Sequence, residues 1–398
     1  MRKKTSIVIA LLIFLTSVSY LKATETFVHF TSKNTGLALV TPQIRSFAIW
    51  CDEREHKGVL TAVHNLQTDF GKVTNITPDL TNEKKQDIRI IIGSFDKSPL
   101  IRQLVRAGKL DAKELKNKNE KFIITTLHAP LEDLDGEVLL IAGSDKRGTI
   151  YGIYELSRQI GVSPWYWWAD VPVAHHNSIY IKKGTYTDGE PAVKYRGIFI
   201  NDEWPCMGNW TTRKFGGFNS KMYVHIYELL LRLKANFLWP AMWSAAFYAD
   251  DPQNSSLADE MGIIVGTSHH EPMARNHQEY ARSRKDYGPW NYQTNKEGID
   301  RFFREGIQRM KGKEEVVTIA MRGDGDAPMG PDTDTRLLED IVKEQRKIIA
   351  EITGKPAYKT PQLWALYSEV LEYYDQGMKI PDDVMILLCD DNWGNVRR

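Results

Sequence analysis

Cysteine is scarce in this chain: its 398 residues include three, Cys51, Cys206 and Cys389, spaced too widely for a disulfide framework. Three buried thiols are the expectation. An excess of charge is missing too, since 52 lysines and arginines face 51 aspartates and glutamates, for a net charge of +1. Nothing calls for a polyanionic partner, and nucleic acid is not an expected ligand. Long apolar runs are absent except at the start, where Arg2, Lys3 and Lys4 precede Ile7 to Val18, and Leu21, Lys22 and Ala23 follow. That run is too short to cross a bilayer comfortably and reads as a cleaved secretory signal over residues 1–23. The mature chain is expected to be secreted or periplasmic, without a membrane span.

Cofactor signatures are missing as well. Gly143 to Thr149 resembles a phosphate-binding loop, but Thr149 stands where that loop needs its lysine. His270 and Glu271 begin the zinc-peptidase pattern, yet Ala274 occupies the second histidine's place. Adjacent strand residues point to opposite faces, so His269 and His270 are not expected to share a pocket. Asp324, Asp326, Asp332 and Asp334 suggest a calcium loop, but Pro328 falls where an oxygen ligand is required and no closing glutamate follows. No metal and no other cofactor is expected.

What the chain does have is aromatic side chains, 11% of the total with 11 Trp and 17 Tyr, flat rings suited to stacking on sugars or bases. The densest cluster, Trp165, Tyr166, Trp167 and Trp168 between Pro164 and Pro172, reads as a packing face between domains or as part of a sugar-binding wall. The length implies two domains. Residues 24–187 read as an α/β domain, with short Ile, Val and Leu runs at Ile88 to Ile92, Phe122 to Thr126 and Val138 to Ala142 separated by helical spacing. Gly, Thr, Asp and Pro between Gly184 and Pro191 mark the boundary.

Residues 188–398 repeat one unit, an apolar run ending in polar residues and then an amphipathic segment. The expected strands are Tyr195 to Ile200, Phe237 to Trp243, Ile263 to Thr267, Val316 to Met321, Leu363 to Tyr367 and Val384 to Cys389. The fold class is therefore α/β: an N-terminal sandwich-like domain, then a (β/α)8-type TIM barrel with about six of eight strands before the chain stops. Barrel enzymes take catalytic groups from the C-terminal strand ends. That filter leaves Asp202, Glu203, His269, His270, Glu271, Arg322, Asp324, Asp326, Tyr367, Glu369, Asp390, Asp391 and Asn392. Many carboxylates at one mouth, with aromatics and one arginine, fit glycoside hydrolysis, in which two carboxyl groups carry the protons. Arg322 reads equally as a clamp for a substrate carboxylate or as an ion-pair partner of Asp326, four residues along.

An ordered set of segments resembles glycoside hydrolase family 115, the α-glucuronidases acting on xylan. The set comprises Ala142 to Pro172, Arg196 to Trp204, Glu228 to Trp243, Gly266 to Met273, Met321 to Pro328, Trp364 to Glu369 and Asp390 to Arg397. The resemblance implies removal of α-1,2-linked glucuronic acid or its 4-O-methyl ether by an inverting mechanism, with Glu369 and Asp326 as the essential pair. It also implies that His269 and Arg322 bind the uronic carboxylate, while Asp202, Trp243, Tyr367 and Asn392 shape the pocket. Glucuronoxylan or xylo-oligosaccharides would be the partners, and a full-length member would be a homodimer. Family members continue well past this point, so the chain reads as C-terminally truncated. Two other readings stay open: a non-catalytic carbohydrate-binding remnant, and a different exo-glycosidase on the same barrel.

Overall fold

The computed structural model describes residues 25–31, 36–85, 87–132, 134–201, 204–329, 335–390 and 394–395. The signal-peptide expectation lies outside them. Among the described residues no helix is long and apolar enough to cross a membrane. The chain forms two compact units, one of residues up to Glu55 with Ala62–Ala192, the other of His56–Thr61 with Val193 onward.

Among the described residues the first unit contains nine strands: β1 (Val28–His29), β2 (Gly36–Val40), β3 (Ala48–Cys51), β4 (Asp79–Thr81), β5 (Ile88–Ser94), β6 (Phe122–His128), β7 (Glu137–Gly143), β8 (Ile179–Lys182) and β9 (Thr185–Tyr186). Six form a sheet in the order β4-β3-β5-β7-β6-β9, and β1-β8-β2 form a small antiparallel one. β3, β4, β5 and β7 run parallel, and Ile90, Ile91 and Ile92 are fully buried. A parallel strand covered on both faces needs such an unbroken apolar run. Helix Lys146–Gln159 starts at Asp145, whose carboxylate accepts hydrogen bonds from Gly148 N–H (2.8 Å) and Glu120 N–H (2.7 Å). The place a phosphate would take at this helix N-terminus is filled by the chain's own carboxylate.

The second unit holds β10 (Gly197–Phe199), β11 (Phe237–Trp239), β12 (Ile264–Gly266), β13 (Glu315–Thr318), β14 (Gln362–Leu366) and β15 (Met385–Leu388). All six are parallel and adjacent in chain order, a curled half-barrel. Trp239, Ile264, Val316, Leu363 and Ala365 form one core cluster. Connecting helices such as Lys296–Met310 and Thr335–Thr353 bury one stripe each; the latter buries Leu338, Ile341, Val342, Ile348 and Ile349, each worth roughly 1.5–3 kcal/mol. Gly354 (φ 69°) accepts the left-handed turn that ends that helix.

The strands stop sooner than their apolar runs. Ala241, Met242, Ile319, Ala320 and Met321 are buried like strand residues but lie past β11 and β13. Ala320 is left-handed (φ 79°), so its backbone groups leave the ladder. Gln345 supplies the missing partner: its amide donates to Ala320 O (2.8 Å) and accepts from Ala320 N–H (2.7 Å). At the other end of the sheet the buried Asn236 amide does the same, accepting from Arg196 N–H (2.9 Å) and donating to Lys194 O (2.8 Å). Both close backbone valences that would otherwise be buried unpaired.

Candidate active site

Three strand exits converge. β13 leads through Ala320 to Arg322, whose carbonyl accepts from Trp290 Nε1–H (2.9 Å). Arg322 Nε and Nη2 donate to Glu369 Oε1 and Oε2 at 3.0 and 2.7 Å, a bidentate fork, while Nη1 donates to Asp326 Oδ1. Both carboxylates are mostly buried, their side chains 13% exposed for Asp326 and 11% for Glu369. β12 leads to His269, whose Nε2 lies 3.0 Å from the same Asp326 oxygen and whose Nδ1 lies 2.9 Å from Ser268 Oγ. The Tyr367 ring, at the exit of β14, sits 4.5 Å from the His269 ring and 5.3 Å from the Arg322 guanidinium carbon.

Strained backbone surrounds the pair. Asp326 (φ 64°) is left-handed, and Ser368 (φ 54°, ψ −129°) sits just before Glu369 in a sparsely populated conformation. Such residues cost on the order of 1–3 kcal/mol and persist only where the surroundings fix them. Gly323 is fixed by close approach, since a Cβ there would meet Pro328 O at 2.5 Å.

Burial raises the Asp326 carboxyl, but the His269 hydrogen bond and the charges of His269, His270 and Arg322 hold it below the usual range. Burial pushes His270 down to about 3; Trp243 stacks on it at 5.1 Å. Burial pushes Glu271 up to about 8, against hydrogen bonds from Asn276 Nδ2 (3.1 Å) and His277 N–H (3.0 Å).

Of the residues expected at the mouth, the structure brings Asp326, Glu369, Arg322, His269 and Tyr367 together, with Trp243 joined through His270. Asp202, Asn392, Glu203 and Asp391 lie outside the described residues. Glu271 turns inward, and Asp324 turns to Arg284 (3.0 Å) and His277 (3.2 Å). The Arg322–Asp326 contact permitted by spacing is present, joined by the fork to Glu369. Strand alternation fails for the two histidines: His270 Nδ1 is 3.8 Å from the Asp326 oxygen that His269 also meets. They lie past the end of β12, in a turn, where pleating no longer separates neighbours. His269, His270 and Asp326 place three ligand-type atoms within 4.8 Å of one another, but Arg322 donates to the same Asp326 oxygen, so a cation there would face a guanidinium. The cysteines also depart from expectation: Cys51 is buried, but Cys206 is exposed and Cys389 half-buried. A cavity of about 620 Å³ opens at the opposite strand ends, lined by Lys194, Glu314 and Lys359 among others, away from these groups.

The chain matches Glycosyl hydrolase family 115 over residues 188–398 and the Glycosyl hydrolase family 67 N-terminus over residues 41–156. Among solved structures it is similar to a family GH115 4-O-methyl-α-glucuronidase with specificity for decorated arabinogalactans, at 33% identity and a TM-score of 0.80. That similarity covers 91% of this chain and 47% of the other, so the chain spans about half that protein's length. It shares its fold more distantly with the Flavobacterium johnsoniae chitobiase, at 11% identity and a TM-score of 0.53, covering 93% of this chain and 55% of that one. No match was found among curated proteins.

Proposed function

Because the chain belongs to glycosyl hydrolase family 115, we propose that it is a glycoside hydrolase that removes α-1,2-linked glucuronic acid or its 4-O-methyl ether from xylan, acting outside the cytoplasm. The observation that carries this reading is one guanidinium holding two largely buried carboxylates on different edges. With a guanidinium between them the two carboxyl groups do not touch each other. An inverting pair stands roughly 6.5–9.5 Å apart, leaving room for a water molecule. Of Glu369 and Asp326, one protonates the leaving oxygen while the other draws a proton from that water.

Arg322 uses three N–H groups on these carboxylates, and a guanidinium carries more. The remaining donors receive the uronic carboxylate beside His269, whose two ring nitrogens already meet Asp326 and Ser268, while Asp202, Trp243, Tyr367 and Asn392 shape the sugar pocket. Homodimer formation by a full-length member belongs to the same reading. The solved relative's preference for decorated arabinogalactans supports a second reading, in which the uronic acid is carried on an arabinogalactan.

Proton NMR of glucuronoxylan and of a uronic-acid-bearing arabinogalactan, each incubated with the protein, tests both. Free uronic acid appearing first as the β anomer is expected, from xylan on the first reading. Glu369→Gln and Asp326→Asn should each lower release at least a thousandfold without loss of fold. The α anomer first, or no release from either polymer, overturns the proposal.

A further inference from the structure

Trp204 is not among the residues that the strand-end rule selects, yet its setting is specific. It follows β10, and the residue is 54% exposed. An indole so exposed usually moves, but this one is held on two sides. Its Nε1–H donates to Ser244 Oγ at 3.1 Å. Its ring lies flat over Gly208, where a Cβ would stand 2.3 Å from Trp204 Cε2, so only glycine admits this packing. Ser244 follows Trp243, itself 41% exposed and stacked on His270. The contacts thus run outward from Asp326 through His270 and Trp243 to Ser244 and Trp204.

With its one polar group already satisfied, Trp204 offers a ligand an apolar π-face and nothing else. That face does not suit the charged uronic acid, whose counter-charge sits inward at Arg322. It suits the C–H face of a neutral pyranose. Held by these two contacts, its side chain has less entropy to lose on binding. Resting on the proposed reaction, we propose that Trp204 is a stacking platform for the neutral main-chain sugar that carries the uronic acid, the group that leaves.

The test compares the full chain with Trp204→Ala and Trp204→Phe on two substrates: a xylotriose bearing one 4-O-methylglucuronic acid, and α-glucuronosyl fluoride, whose leaving group has no ring to stack. For Trp204→Ala, the ratio of kcat/KM on the oligosaccharide to that on the fluoride should fall about tenfold, through KM. Trp204→Phe should restore most of it. An equal loss on both substrates, or no loss on either, overturns the platform. If the unaltered chain cleaves neither substrate, the proposed reaction fails, and calorimetric titration with neutral xylohexaose still decides. Binding by the unaltered chain that is lost in Trp204→Ala and regained in Trp204→Phe upholds the platform. Equal binding by all three, or none by the unaltered chain, overturns it.

Discussion

Replacing Arg322 with methionine would keep much of the side chain's volume while removing the one cation shared by Asp326 and Glu369. Stranding a buried charge by deleting its partner costs about 3–5 kcal/mol. The lower figure applies here, because both carboxylates retain some contact with solvent. The pH dependence follows from Asp326. Its carboxyl is held below the ordinary range despite burial, by the His269 hydrogen bond first and then by the charges of His269, His270 and Arg322. A depressed carboxyl contributes stability that is present above its unfolded pKa, about 3.9, and is lost as pH falls through the folded value. The difference between Arg322→Met and the parent should therefore be largest at neutral pH and shrink below about pH 4. In the variant the two carboxylates face one gap without a counter-charge, so one keeps its proton to higher pH. The acid limb of kcat/KM should accordingly move up by about one pH unit or more. Arg322→Lys keeps the charge but loses the planar fork, and should recover stability better than activity. Urea unfolding at pH 7 and pH 3.5, with a pH–rate profile, measures all of this. An Arg322→Met protein as stable as the parent at pH 7, with an unmoved acid limb, would refute the reasoning.

Glu271, raised to about 8 by burial, should make stability fall as pH rises from about 4.3, its unfolded pKa, to about 8, by up to roughly 1.4 kcal/mol per pH unit. Glu271→Gln should remove that contribution, leaving one of similar slope from Glu315, raised to about 7, over a shorter pH range; parallel Tm–pH curves for the two proteins would count against it. Gln345→Leu strands the N–H and C=O of Ala320 at roughly 1–3 kcal/mol each. It should lower the urea midpoint and also kcat, because Arg322 lies two residues beyond Ala320; a variant with unaltered kcat would separate Gln345 from the site.

The half-barrel was legible because its inner strands are buried on both faces and alternate with amphipathic helices. The early strands β1 to β4 were not, being two to five residues long with mixed burial. Helix Lys57–Thr74 carries apolar positions at Val59, Ala62, Val63, Leu66, Phe70 and Val73, a helical period that could have been read. At the site, the strand-end rule gathered Arg322, Asp326, Glu369, His269 and Tyr367 but could not distinguish them from Glu271 and Asp324. Those two differ only in where their carboxyl groups turn after the strand ends, which depends on partners elsewhere in the chain. Gln345 and Trp204 escaped because one lies within a helix and the other in a loop, and each acts through a contact 25 or 40 residues distant.

The strict order of β10 to β15 has a kinetic meaning. Each strand joins the edge laid down just before it, so during synthesis the order of emergence can also be the order of assembly, with no earlier strand reopened to admit a later one. Contacts between near neighbours in sequence close quickly. The arginine leaves the ribosome with Asp326 four residues behind it, and Glu369 follows 47 residues after Arg322. The first carboxylate can pair with its cation while the second is still being made, so the growing chain need not hold two like charges together without the cation between them.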